Sequence, residues 1–143
     1  MFSDFKSKAL DRCYANKSAL TPQRLLVLES VYGCEKPISA YDLQQHIINV
    51  GVNLNIATVY RILNFWSRLN LIHRISAINK FACCVDPDEQ HIHIINCCKK
   101  CESLVETCNK VMGFSVNSGM KKLGLNMVEN SHIEIAVICP GCA

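Results

Sequence analysis

The chain has 143 residues, half of them hydrophobic, with a formal net charge of +3 and ten cysteines. That length suits one ordinary domain, or two small ones that each need extra support. No apolar run approaches the roughly 18 residues of a membrane-spanning helix, and the opening MFSDFKSKAL lacks the apolar stretch of a signal peptide, so a cytoplasmic protein with no membrane partner is expected. In that compartment cysteines are metal ligands, catalytic groups or small hydrophobes more often than disulfides.

The charge is unevenly spread. Residues 1–85 carry ten Lys/Arg against five Asp/Glu, and residues 86–143 carry five against seven. A basic half beside an acidic, cysteine-rich half suggests that the first binds a polyanion and the second does something else.

In chain order, LTPQRLLVLESVYGC places Thr21 as an N-cap and Pro22 at the first helical position, with Leu25, Leu28, Val31 and Tyr32 on one face; a helix over about 22–34 follows. PISAYDLQQHIINVG repeats the device, with Ser39 as cap, Leu43, Ile47 and Val50 on the inner stripe and Gly51 past the end. In NLNIATVYRILNFWSRLNLI, Asn55 caps a third helix whose Ile56, Val59, Leu63 and Trp66 form the buried stripe. Thr58, Arg61, Asn64 and Arg68 then project outward with Tyr60 at the edge, a polar face without an acid. LIHRIS and KFACCV, separated by AIN, read as a β-hairpin. Three helices and a hairpin in this order make a winged helix-turn-helix unit, whose last helix enters the DNA major groove. The alternative is an ordinary helical domain with solvated arginines.

CKKC at 98–101 and CPGC at 139–142 are two CxxC knuckles. Each turn aims two sulfurs at one spot, so Cys98, Cys101, Cys139 and Cys142 supply the closed set of four thiolates that a structural zinc requires. A thioredoxin-like dithiol would instead open a helix after a first strand, where neither knuckle sits. A second group is His73, Cys84, His91, His93 and Glu106. With the hairpin turn centred between Ile78 and Asn79, His73 and Cys84 lie directly opposite, a pairing that puts Cβ atoms about 4.5–5.5 Å apart. His91 and His93 share a face of HIHIIN, read as the first strand of the second half. These histidines suit either metal ligation or plain packing. Cys13, Cys34, Cys83, Cys97 and Cys108 have no partner at metal spacing and read as small hydrophobes.

LTPQR, SAYDL, ATVYRIL, the histidine opening the hairpin, the paired histidines before the first CxxC and the terminal CxxC together resemble the ferric uptake regulator family, and within it the zinc-sensing branch. The similarity runs from about residue 17 to the end. It implies an α+β chain: an N-terminal winged helix-turn-helix domain over 1–84, a hinge over 85–90, and a C-terminal α/β dimerisation domain over 91–143, with a helix near 107–123 and the structural zinc. It further implies two zinc ions per chain, the second a regulatory one between the domains on His73, Cys84, His91 and Glu106. Cys84 carries the branch assignment, because a thiolate suits tetrahedral zinc, whereas iron and manganese sensors use harder His and carboxylate sets. An iron, manganese or peroxide sensor of the same family is the alternative.

The resemblance makes the chain a non-enzymatic, zinc-responsive repressor of zinc importers. It would bind palindromic double-stranded operator DNA as a homodimer. Arg61 would read a guanine edge; Tyr41 and Tyr60 would touch bases or backbone, and Thr58, Arg24 and Lys36 would position phosphates. The chain departs from the family pattern in three places. Ser131 stands where a histidine is frequent, leaving His132 one residue off and expected on the opposite strand face. Lys17 is the nearest match to a basic residue ahead of the first capped helix, and the N-terminal helix reads as short. A thiol enzyme acting through Cys83–Cys84 or a CxxC is the rival from another class; no base is placed to activate either knuckle, and zinc-bound thiolates are not free.

Overall fold

The computed structural model describes residues 1–87, 92–107, 110–128 and 131–143, with side chains of the last helix described from Ser115 onward. The chain divides into two compact units, Met1–Pro87 and Asp88–Ala143.

The first unit holds α1 (Phe2–Ala15), α2 (Pro22–Tyr32), α3 (Ala40–Asn49), α4 (Ile56–Arg68), β1 (Ile72–Ile75) and β2 (Lys80–Cys83). The three capping residues read from the sequence act as such: Thr21, Ser39 and Asn55 side chains accept from the backbone N–H groups of Arg24, Asp42 and Thr58. Each such cap is worth about 1 kcal/mol. Past α3 the chain reverses at Gly51, whose φ of +94° needs a residue without a Cβ. The core of this unit gathers Leu28, Leu43, Ile47, Leu63, Trp66 and Phe81, and each fully buried aliphatic side chain stabilises it by about 1.5–3 kcal/mol. A 2.9 Å hydrogen bond from Trp66 Nε1 to the carbonyl of Arg24 ties α4 to α2.

Four sequence expectations change here. The N-terminal helix is not short: α1 runs for 14 residues and sends Phe5, Ala9 and Cys13 into the core. On α2, Val27 is buried and Tyr32 is at the surface, stacked beside Phe2 and Phe5 with ring centroids 5.2 and 5.1 Å away. Val50 is exposed because α3 has already ended at Asn49. On α4, Ile62 and Phe65 are buried alongside Val59, Leu63 and Trp66, so the apolar stripe is wider than two residues per turn, while Ile56 is half-buried.

The hairpin register is also different. His73 faces Ala82, not Cys84. The connection is four residues long, Ser76 to Asn79, with Asn79 in the left-handed region at φ +51° and its side-chain oxygen held by Arg74 at 2.8 Å. The turn centre therefore falls between Ala77 and Ile78, one position earlier than expected, which displaces the pairing by two. Cys84 lies just past β2 and donates its N–H to Leu71 at 2.9 Å. Because the displacement is even, His73 and Cys84 still share one face as diagonal neighbours. Ile38 adds two backbone hydrogen bonds to Phe81, at 2.9 and 2.8 Å, extending the hairpin by one bridge.

The second unit holds β3 (His93–Cys98), β4 (Leu104–Thr107), α5 (Lys110–Lys122) and β5 (His132–Val137). The sheet order is β4-β3-β5, with β3–β4 antiparallel and β3–β5 parallel. The expected strand over 91–96 is displaced forward to 93–98, and the helix expected near 107–123 starts after β4 instead. Contrary to expectation, His132 is the register partner of His93, and parallel partners point to the same side of a sheet.

Candidate functional site

The parallel β3–β5 pair explains how two knuckles some forty positions apart meet. Cys98 ends β3 opposite Val137, which ends β5, so both strands run out at the same edge and each continues into a CxxC turn. The four sulfurs of Cys98, Cys101, Cys139 and Cys142 lie within 4.8 Å of one another, and Cys101 and Cys139 are 3.7 Å apart. That separation is too long for a disulfide, whose sulfurs are about 2 Å apart. It matches the edge of a tetrahedron around zinc, about 3.8 Å for Zn–S bonds of about 2.3 Å.

The surroundings arrange charge for a cation. Cys139 donates its backbone N–H to Cys98 Sγ at 3.4 Å, Ser103 Oγ lies 2.9 Å from Cys101 Sγ, and Lys100 donates to the carbonyl of Cys142 at 3.0 Å. The backbone N–H groups of Cys139 and then Cys101 pull the Cys98 thiol down to about 6, and Ser103 lowers Cys101. Cys142 is pushed up to about 12, first by its hydrogen bond with Cys139 and then by Cys101. Thiolate charge thus settles on Cys98, and ionising Cys142 against it calls for a positive ion in the middle. The donor set and its spacing fit a closed, four-sulfur zinc.

Further donors occur in each unit. In the first, His73 and Cys84 are 4% and 3% exposed and share the hairpin face described above. In the second, His93 is 1% exposed and its Nδ1 meets Glu106 Oε1 at 2.5 Å, with the Glu106 side chain 5% exposed. Ile95 is the register partner of Glu106, so His93 and Glu106 sit one row apart on one face of the sheet. His91 lies outside the described residues. The sequence alone could not choose between the two histidines of HIH, which alternate onto the same face. The resemblance points to His91; His93 is the one of the two among the described residues, and it hydrogen-bonds to Glu106. On β5, His132 Nε2 lies 3.2 Å from Glu134 Oε2, also on this face. Of the cysteines read as small hydrophobes, Cys13 and Cys97 are buried, Cys34 and Cys83 are half-buried, and Cys108 lies outside the described residues. Burial pushes Cys83 up to about 12, aided by nearby Cys34, which leaves no nucleophilic thiolate there at neutral pH.

The polar side of α4 keeps its expected outline. Arg61, Asn64 and Arg68 are exposed and Thr58 and Tyr60 half-buried, with no acid among them. Tyr41, 64% exposed on α3, meets Tyr60 edge-on at a centroid distance of 6.4 Å, and Tyr60 meets Phe81 in the same way. Lys36 is exposed. Arg24 is differently placed: its guanidinium stacks 3.8 Å above the Phe65 ring and donates to Ala19 at 2.7 Å, so it is engaged within the unit.

Comparisons with known proteins agree with this assembly of elements. The zinc uptake regulation protein of Escherichia coli (strain K12) is 28% identical over 131 residues, covering 91% of this chain and 76% of that protein. A solved zinc uptake regulator complexed with zinc and DNA superposes with a TM-score of 0.85 at 26% identity, covering 98% of this chain and 93% of the other. The crystal structure of holo XcZur gives a TM-score of 0.82 at 26% identity, covering 98% and 96%. No helix among the described residues is long and apolar enough to cross a membrane. The sequence profile of the ferric uptake regulator family matches residues 16–136, most of both units, and the chain belongs to that family of regulators.

Proposed function

We propose that the chain is a cytoplasmic, zinc-responsive transcriptional repressor that binds palindromic operator DNA as a homodimer. The observation that carries this reading is the pair of distinct donor sets. One is all sulfur and closed; for the other, the first unit offers His73 and Cys84 on one buried hairpin face and the second unit offers His93 and Glu106, nitrogen, sulfur and oxygen donors in all. Two zinc ions per chain follow, the first structural and the second regulatory. The likeness to a zinc uptake regulator solved with zinc and DNA supports the choice of both ligands.

In this reading His73 and Cys84 bring the DNA-binding unit to the ion, and His93 and Glu106 bring the second unit. These donors would hold a zinc ion, which takes mixed nitrogen, sulfur and oxygen ligands. Glu106 accepts from, or shares the ion with, His93, which fixes the imidazole orientation. His91, outside the described residues, is the alternative donor to His93. Holding the two units in one arrangement sets the spacing of the two α4 helices of a dimer, and affinity for DNA falls when that arrangement is one of many. Exposed Val105 on β4 and Ile135 on β5, both aligned with Asn96, give the second unit an apolar sheet face that a second copy would cover. The thiol of Cys84 weighs against an iron or manganese sensor, which calls for oxygen-rich sets.

The test is an operator-binding titration with zinc, iron(II) and manganese(II), on the wild type and His73→Ala. Zinc should activate the wild type at the lowest free concentration, and His73→Ala should lose that response. Unchanged zinc dependence in His73→Ala sinks the regulatory site, and tighter activation by iron or manganese sinks the zinc assignment.

A further inference from the structure

Resting on the DNA-binding reading above, we propose that Asn64 is a second base-reading residue, which selects adenine beside the guanine read by Arg61. Asn64 lies three residues after Arg61 on α4, and both are exposed on the face opposite Val59, Leu63 and Trp66. Among the described residues neither side chain hydrogen-bonds to the protein. Both therefore keep a full set of donors and acceptors for a ligand.

An exposed asparagine in the middle of a helix is unfavourable on local grounds, since its amide competes with the backbone and its helix propensity is below that of Ala, Lys or Glu. Asn64 is not a cap, and nothing in its own helix offsets that cost. Its chemistry fits adenine: the amide oxygen accepts from N6 and the amide NH2 donates to N7, a bidentate match that no other base offers in the major groove. Arg61 presents the corresponding fork to guanine O6 and N7. Three helical residues advance about 4.5 Å along the axis, and a base-pair step is about 3.4 Å, so the two side chains reach neighbouring base pairs. Arg61 lies in the N-terminal half of α4, the part that a recognition helix presents to base edges, and Asn64 follows it one turn later.

The experiment is selection from a randomised duplex library by the full-length zinc-loaded chain, repeated with Asn64→Ala, Asn64→Asp and Arg61→Ala. The wild type should select a two-fold symmetric site with a guanine and a nearby adenine in each half. Asn64→Ala should flatten the adenine column and keep the guanine column, losing roughly 5- to 150-fold in affinity for the selected site and little for the adenine-substituted one. Its salt slope should stay at the wild-type value, because no phosphate contact is removed. Asn64→Asp, which can only accept, should favour cytosine there. An unchanged adenine column, or a uniform loss across all columns, overturns the Asn64 assignment alone. If the wild type selects no common sequence with zinc while remaining folded by circular dichroism, the DNA-binding reading falls, and this assignment with it.

Discussion

The backbone N–H of Cys139 points at Cys98 Sγ across 3.4 Å, so the last strand of the chain is tied to the middle strand of its sheet through a sulfur. Around that hydrogen bond the four thiols close the edge where β3 and β5 run out together. A small three-stranded sheet has little core to hold it, and a closed metal site supplies what the core lacks. Cys139→Ser, or exhaustive chelation under reducing conditions, should therefore lower the stability of the second unit by at least about 3 kcal/mol, a fall in Tm of more than about 10 °C. Calorimetry and analytical ultracentrifugation check it. Intact dimers with an unshifted Tm would contradict a structural role for this centre.

Zinc uptake at this site should release fewer protons than four cysteines would suggest. Cys98 is held at about 6, so at pH 7.5 it is already a thiolate in the zinc-stripped protein, whereas Cys142, pushed up to about 12, is still a thiol. The sign for stability follows from the same lowering. Ionised Cys98 is favoured in the folded state over a free thiol of 9.0, so its contribution is complete above pH 9 and is lost as the pH falls through about 6. Thiolate absorbance of zinc-stripped protein should show a first step near pH 6 that Cys98→Ser abolishes, and calorimetric zinc titrations in buffers of different ionisation enthalpy should report at most three protons from this site at pH 7.5. A single broad step near pH 9 would contradict the arrangement of N–H groups around Cys98.

Much of the first unit was legible because its signals are local. Thr21, Ser39 and Asn55 mark helix starts by the hydrogen bonds their own side chains make within three residues. The closed zinc set was legible for a similar reason, since a CxxC turn defines its own geometry. What escaped depended on pairing between distant segments. The hairpin register turned on whether three or four residues connect the strands, and Asn79 in a left-handed conformation with Arg74 on its side chain decided for four. The face of His132 depended on how β5 aligns with β3, which no spacing within β5 reveals. The engagement of Arg24 with Phe65 joins residues of different helices and was equally invisible.

His93 and His91 can be separated by substitution. Because His93 Nδ1 meets Glu106 while both side chains are almost wholly buried, its replacement removes a donor and takes a 2.5 Å contact from the Glu106 carboxylate. His93→Ala should lose zinc-dependent DNA binding as completely as His73→Ala does, with the structural zinc retained on metal analysis at one ion per chain. His91→Ala should keep most of the response. The reverse pattern, with His91→Ala silent to zinc and His93→Ala responsive, would assign the fourth donor to His91.

Arg24 and Lys36 should part company in the same way. Arg24 is stacked on Phe65, bonded to Ala19, and its carbonyl receives the indole N–H of Trp66, whereas Lys36 is exposed. Removing a side chain that neutralises one phosphate lowers the slope of log affinity against log salt by about 1. Lys36→Ala should show that drop with an unchanged Tm. Arg24→Ala should instead lower stability by about 1–2 kcal/mol, because it strips the cation from the Phe65 ring and the tie from the α1–α2 connection, and should leave the salt slope within error of wild type. Trp66→Phe provides the reference on the same joint: it removes the indole hydrogen bond to the Arg24 carbonyl, which keeps its helical partner, and should cost about 0.5–1.5 kcal/mol for that bond without touching the salt slope at all. A reduced salt slope in Arg24→Ala would show that the guanidinium leaves Phe65 to meet a phosphate when DNA is bound.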